Sequence, residues 1–162
     1  MPTLAAAPQP VKFTIGNNYY FKGDQKVNMD AATFMDSGRT YVPVRYLADA
    51  LGLTSDWKQA NQEVDLTESF SAGADPKTGA PLQMKDTLCF FINQKYMRYQ
   101  GGHNGQVTVN KKYDIDVAPV IKEGRTYLPA RYVAENFDYD VSWDTSTQTV
   151  TLTPMNGGEG GL

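Results

Sequence analysis

Gly38-Arg39-Thr40-Tyr41-Val42-Pro43-Val44-Arg45-Tyr46-Leu47-Ala48 returns, 86 residues on, as Gly124-Arg125-Thr126-Tyr127-Leu128-Pro129-Ala130-Arg131-Tyr132-Val133-Ala134. The same offset carries Trp57 onto Trp143, Val64 onto Val150 and Leu66 onto Leu152. The chain is a tandem duplication, and its fold must be one supersecondary unit written twice. Within each copy the stretch reads as a short strand running into a helix. Pro43 suits the first helical turn, where a missing N–H costs nothing. Val44, Leu47, Ala48 and Leu51 form one apolar stripe, Arg45 and Asp49 stand four apart on the outer face, and Gly52 ends the helix. The second copy repeats this with Pro129, with Ala130, Val133, Ala134 and Phe137, and with Arg131 and Glu135, but has Asp138 at the stop. A helix of about ten residues is marginal alone and must be held by a sheet.

Outward from the helices the pattern turns to alternation. Val11, Phe13 and Ile15, a turn at Gly16-Asn17-Asn18, and Tyr19, Tyr20 and Phe21 read as a hairpin. Gly23-Asp24-Gln25 is a second turn, Lys26 to Met35 a strand, and Asp36-Ser37-Gly38 a third turn. After the helix, Leu53–Trp57 and Glu63–Thr67 read as strands, with Val64 and Leu66 inward. In the second copy Cys89–Ile92 is a continuous apolar strand, suggesting burial on both faces, and Asn93-Gln94-Lys95 is its turn. Ile15 matches Ile92 at an offset of 77, against 86 elsewhere, so the second copy carries a nine-residue insertion around Gly101-Gly102-His103-Asn104-Gly105. Val141–Trp143, a turn at Asp144-Thr145-Ser146 and Gln148–Thr153 close it.

The expected fold class is α+β, two tandem units, each a small twisted antiparallel sheet packed on one short amphipathic helix. The expected division is a flexible arm over 1–10, one unit over 11–67, a Gly/Pro-rich linker over 68–87, the second unit over 88–153 and a flexible Gly-rich tail over 154–162. Residues 1–10 lack the charged start and apolar core of an intact signal peptide. With 41% hydrophobic and 20% charged residues the chain has a globular composition. Only 15 lysines and arginines and a net charge of −3 make nucleic acid a poor partner. No run of 18 apolar residues supplies a transmembrane segment.

Chemistry-bearing residues are sparse. Cys89 is the one cysteine and His103 the one histidine, which excludes an intramolecular disulfide and a cysteine-rich zinc site. Cys89 in an apolar strand reads as inert, and His103 as an exposed loop residue. The glycine run around His103 lacks the Lys-Ser/Thr of a phosphate loop. Asp114 with Asp116, and Asp138 with Asp140, would share a strand face, but solvated acidic edges are the simpler reading than a Ca²⁺ site. No catalytic, cofactor-binding or metal residue is assigned. Gly38, Arg39, Pro43 and Trp57, with Gly124, Arg125, Pro129 and Trp143, are the structural signature of the repeat, the tryptophans reading as core anchors. Tyr19, Tyr20, Tyr96 and Tyr99 in the hairpins are the candidate partner-binding surface, because exposed tyrosines suit interfaces and sugar faces.

The Gly38–Gly52 pattern, followed by Trp57 and Val64-Asp65-Leu66 and repeated from Gly124, resembles the copper amine oxidase N-terminal domain family, also called the stalk domain. The resemblance spans about residues 12–67 and 88–153. It implies a five-stranded antiparallel sheet wrapped on a helix. In copper amine oxidases this module is an appendage, and copper and the quinone cofactor sit in a separate catalytic domain, so the resemblance implies no enzyme and no cofactor here. It further implies a secreted or cell-surface bacterial protein. The expected function is a non-catalytic module that binds the cell envelope, through a cell-wall polymer or a surface protein. The alternative is a structural subunit of a surface layer or filament, whose partners are copies of itself.

Overall fold

A computed structural model of the chain describes residues 9–155. Antiparallel strands make up 58% and two short helices 12%, so the fold lies at the β-rich end of the α+β class. The first copy forms β1 (Val11–Thr14), β2 (Tyr19–Lys22), β3 (Gln25–Asn28), β4 (Phe34–Asp36), β5 (Arg39–Pro43), α1 (Val44–Leu51), β6 (Thr54–Lys58) and β7 (Glu63–Ala74). The second forms β8 (Pro81–Phe91), β9 (Tyr96–His103), β10 (Gln106–Asp114), β11 (Val120–Lys122), β12 (Arg125–Pro129), α2 (Ala130–Asn136), β13 (Tyr139–Asp144) and β14 (Thr149–Pro154).

The compact units are not the sequence copies. Among the described residues, 9–42 and 130–155 make one unit and Pro43–Pro129 the other. The first has a sheet ordered β13-β14-β1-β2-β3, and the second a sheet ordered β10-β9-β8-β7-β6. Each sheet therefore takes three strands from the front of one copy and two from the back of the other. The cause lies in the expected linker. Residues 68–87 are not a linker: most of them extend β7 and β8 into one long hairpin, paired from Glu63↔Phe91 out to Ala74↔Pro81. Its tip is a tight turn in which Asp75 N–H donates to the Ala80 carbonyl and Asp75 Oδ1 accepts from Lys77 N–H, at 2.7 Å each. A short loop costs little entropy to close, so β7 takes its sequence neighbour β8 as partner. That leaves β14 to pair with β1, Val11↔Leu152 through Thr14↔Thr149.

Local features follow sequence with a few corrections. The loops Ser37-Gly38, Asn104-Gly105 and Glu123-Gly124 have positive φ at both residues, the backbone of a two-residue hairpin turn. This is why Gly38 and Gly124 belong to the repeat signature. The expected strand over 26–35 is broken, because β3 ends at Asn28 and β4 starts at Phe34. Pro43 lies one residue before the helix, ending β5 with ψ 131°, and Gly52 caps α1 in the left-handed region at φ 73°. Asp138 adopts the same conformation at φ 64°. Leu47, Ala48, Ala50 and Leu51 are the buried face of α1, with Val44 half-buried. Ala130, Val133, Ala134 and Phe137 are buried as expected, and Arg131 pairs with Glu135 at 3.0 Å. The tryptophans are not core anchors. Trp57 and Trp143 lie on the edge strands β6 and β13, 38% and 37% exposed. The expected arm and tail fall mostly on residues 1–8 and 156–162, outside the described residues.

The first unit's core is Val11, Phe13, Tyr20 and Leu152, with Phe13 stacked on Tyr20 at 4.8 Å. The second unit's core is the inner face of β7 and β8: Val64, Leu66, Leu88 and Phe90, with Met97 of β9. Among the described residues no helix is long and apolar enough to cross a membrane.

Candidate functional site

The nine-residue insertion lengthens β9 and β10 into a hairpin that stands beside the extended β7–β8 arm. Its tip is tied down twice: Asn104 N–H donates to the Gln83 carbonyl at 2.9 Å, and Asn104 Oδ1 accepts from Gln83 N–H at 3.1 Å. Gly102 pairs with Lys85 on one side and Val107 on the other. A Cβ at Gly102 would collide with the Gln106 carbonyl oxygen, so only glycine allows β9 and β10 to approach this closely. Beside this close approach lies a groove lined by Lys85, Thr87, Gln100, Gly102, His103, Gln106 and Val107. Its walls offer ammonium, amide, hydroxyl and imidazole groups, a set suited to a polar, hydroxyl-rich ligand. His103 is thus a groove residue, half-buried and not a free loop side chain.

The four candidate tyrosines divide between the two units. Tyr19 and Tyr20 belong to the first unit, Tyr96 and Tyr99 to the second. Tyr20 is buried in the core, because β2 turns it onto Phe13. Tyr19 is half-buried, against the edge of Phe21 and under the Lys26 ammonium at 4.2 Å. Tyr96 lies under Lys112 at 4.5 Å and beside Phe91. Tyr99, an odd number of residues on, projects from the opposite face and donates its hydroxyl to Asp86 Oδ1 at 2.7 Å. That hydrogen bond, with burial, pushes the Tyr99 phenol up to about 12. The aspartate pairs do not share strand faces: Asp114 ends β10 with Asp116 beyond it, and Asp138 sits in the left-handed region before β13. Arg39 and Arg125 close the two-residue turns that contain Gly38 and Gly124, facing Asp36 and Lys122 in register.

A second cluster escaped the sequence reading. Glu63 and Asp65 share one face of β7, and the β7–β8 pairing places Cys89 directly opposite Asp65. All three side chains are buried, and one ligand atom from each lies within 4.8 Å of the other two. Lys58 Nζ reaches Asp65 Oδ2 at 2.9 Å, and Asn61 donates to Glu63 Oε1 at 3.1 Å. Asp65 Oδ1 is buried with no hydrogen-bond partner. Burial opposes the charge on Asp65, but its polar neighbours Glu63, Lys58 and Cys89, and the Lys58 charge, outweigh it and hold its pKa low. Glu63 is shifted up, first by the neighbouring Asp65 carboxylate and then by burial.

Burial, with Asp65 and Glu63 nearby, pushes the Cys89 thiol far above its ordinary value. Native chains keep this proton where unfolded chains lose it. The stabilisation is therefore complete below the unfolded pKa of about 8.5 and declines as pH rises, by up to about 1.4 kcal/mol per pH unit. Cys89→Ser is expected to flatten the alkaline limb of stability, measured by urea unfolding between about pH 8.5 and 10.5. Equal slopes for the variant and the parent would contradict a buried, neutral thiol.

Compared with known families, the chain matches the copper amine oxidase N-terminal domain over residues 3–66 and 84–157. That domain is non-catalytic in the enzymes it is named for. No curated protein and no solved structure matches the chain.

Proposed function

The chain belongs to the copper amine oxidase N-terminal domain family, as two tandem copies, and from that premise we propose that it is a non-catalytic, secreted or surface-held module that binds a polar polymer of the cell envelope. The observation that carries this reading is the glycine-floored groove on β8–β10. It is built from the insertion that the first copy lacks, so it is an addition to the shared fold, and its walls present hydrogen-bonding groups at fixed spacing.

The test is an NMR titration of the full chain with soluble cell-wall glycan fragments. Shifts should concentrate at Gln100, Gly102, His103 and Gln106. The double variant Gln100→Ala, His103→Ala should bind at least tenfold more weakly with an unchanged melting temperature. Shifts that avoid these residues, or their absence at millimolar glycan, would remove the groove from the account.

The observation favouring self-assembly is the closure of the first unit by β1 and β14, strands from the two ends of the described chain. The same pairing made between molecules keeps every β1–β14 contact and links chains head to tail. Light scattering on protein refolded at high concentration decides it: discrete multiples of 17.9 kDa support exchange, and a monomer at all concentrations rejects it.

A further inference from the structure

We propose that Glu63, Asp65 and Cys89 form a binding site for a soft divalent cation of the Zn²⁺ or Cd²⁺ type, with Lys58 as its displaceable cover. Two carboxylates and one thiol are a donor set for such an ion, with a fourth position left for water. Their ligand atoms, within 4.8 Å of one another, need to draw in to about 3.5 Å for tetrahedral coordination. All three are side chains on adjacent strands, so rotamer adjustment supplies this without moving the backbone.

Two independent features point to a missing ligand. The first is the unpartnered Asp65 Oδ1, in a residue only 7% exposed. A buried carboxylate oxygen without a donor costs free energy, which a coordinated cation recovers. The second is that the fold does not need these groups. At the equivalent places in the first unit stand Thr149, Thr151 and Lys12, and there Thr149 simply shares a hydrogen bond with Thr14 at 2.7 Å. The acids and the thiol are specific to one sheet of two built alike.

A dication coordinated by Cys89 takes the place of the thiol proton, which leaves to solvent, and the two carboxylates offset the charge of the ion. Entry runs past Lys58, whose side chain is half-exposed and occupies the position next to Asp65 that the cation would share.

The experiment is titration of the full, metal-free chain with Zn²⁺ and with Cd²⁺, read by calorimetry and by the ultraviolet thiolate-to-Cd²⁺ charge-transfer band. The expected result is one ion per chain and a band that saturates with it. Cys89→Ser should abolish the band and weaken binding on the order of a hundredfold. Glu63→Gln should weaken binding while keeping the band, which keeps the question open to decision should Cys89→Ser fail to fold. Lys58→Met should tighten binding by about tenfold, since it removes a like charge. No band in the parent chain, or Cd²⁺ affinity indifferent to Cys89→Ser and Glu63→Gln in folded variants, overturns the proposal.

Discussion

Replacing Lys12 and Thr151 together with cysteine is expected to join the two ends of the described chain by a disulfide, and to raise stability by up to about 5 kcal/mol. The two residues stand directly opposite in the β1–β14 ladder, and neither is buried. The closed loop is long, and the entropy removed from the unfolded chain grows with loop length. Native Cys89 does not compete, because it is buried in the other unit. The informative control pairs Lys12→Cys with Asp65→Cys in a Cys89→Ser background, because Asp65 is the residue of the first copy that corresponds to Thr151 and stands directly opposite Cys89, whose thiol would otherwise capture it. Had each copy folded on itself, that second pair would be the neighbours and would crosslink. With β7 committed to β8, it should not. Non-reducing electrophoresis and urea unfolding give the answer. A 12–65 bridge in place of 12–151 would show that the copies close separately, and bridges between molecules would favour the exchanged assembly.

Phe90→Ala is expected to cost about 3–5 kcal/mol, the usual penalty for removing a fully buried aromatic ring. Phe90 is completely buried on the middle strand of the second sheet, opposite Val64 on one side and Met97 on the other. Three strands meet at that ring, and β8 has a hydrogen-bonded neighbour along both edges, so the backbone cannot collapse into the space. Phe90→Leu, which keeps most of the volume, should cost distinctly less. A loss below about 1 kcal/mol for Phe90→Ala, by urea unfolding, would mean that the ring is not the centre of this core.

The two predictions concern the part of the molecule that sequence described least well. Helices, their apolar faces, the two-residue turns and the left-handed Asp138 follow from periodicity and from residues with particular backbone preferences, and these are local. Residues 68–87 show where local reading stops. Glycine, proline and small polar residues describe a linker and an exposed hairpin arm equally, and only pairing with a partner strand tells them apart. Tyr20 and the two tryptophans failed for a related reason. Alternation says that neighbours face opposite ways, but the face that is covered depends on which sheet the strand joins.

The candidate sites divide along the same line. The insertion around Gly101–Gly105 was visible as a break in the repeat offset, and it builds the groove. The Glu63–Asp65–Cys89 cluster was not visible, although a signal existed: the second copy has threonine where the first has Glu63 and Asp65. With Val64 and Leu66 facing inward, alternation turns the acids to the other face, and nothing in sequence placed Cys89 across from them.

The sequence by itself determined that the fold is one unit repeated, where its helices and turns lie, and which family it belongs to. All of these are carried by residue patterns within a few tens of positions. The tertiary structure decided which strand pairs with which copy, and hence which residues are buried together. That choice rests on the low entropic cost of closing the β7–β8 hairpin, which set β1 against β14 and brought a thiol to two carboxylates.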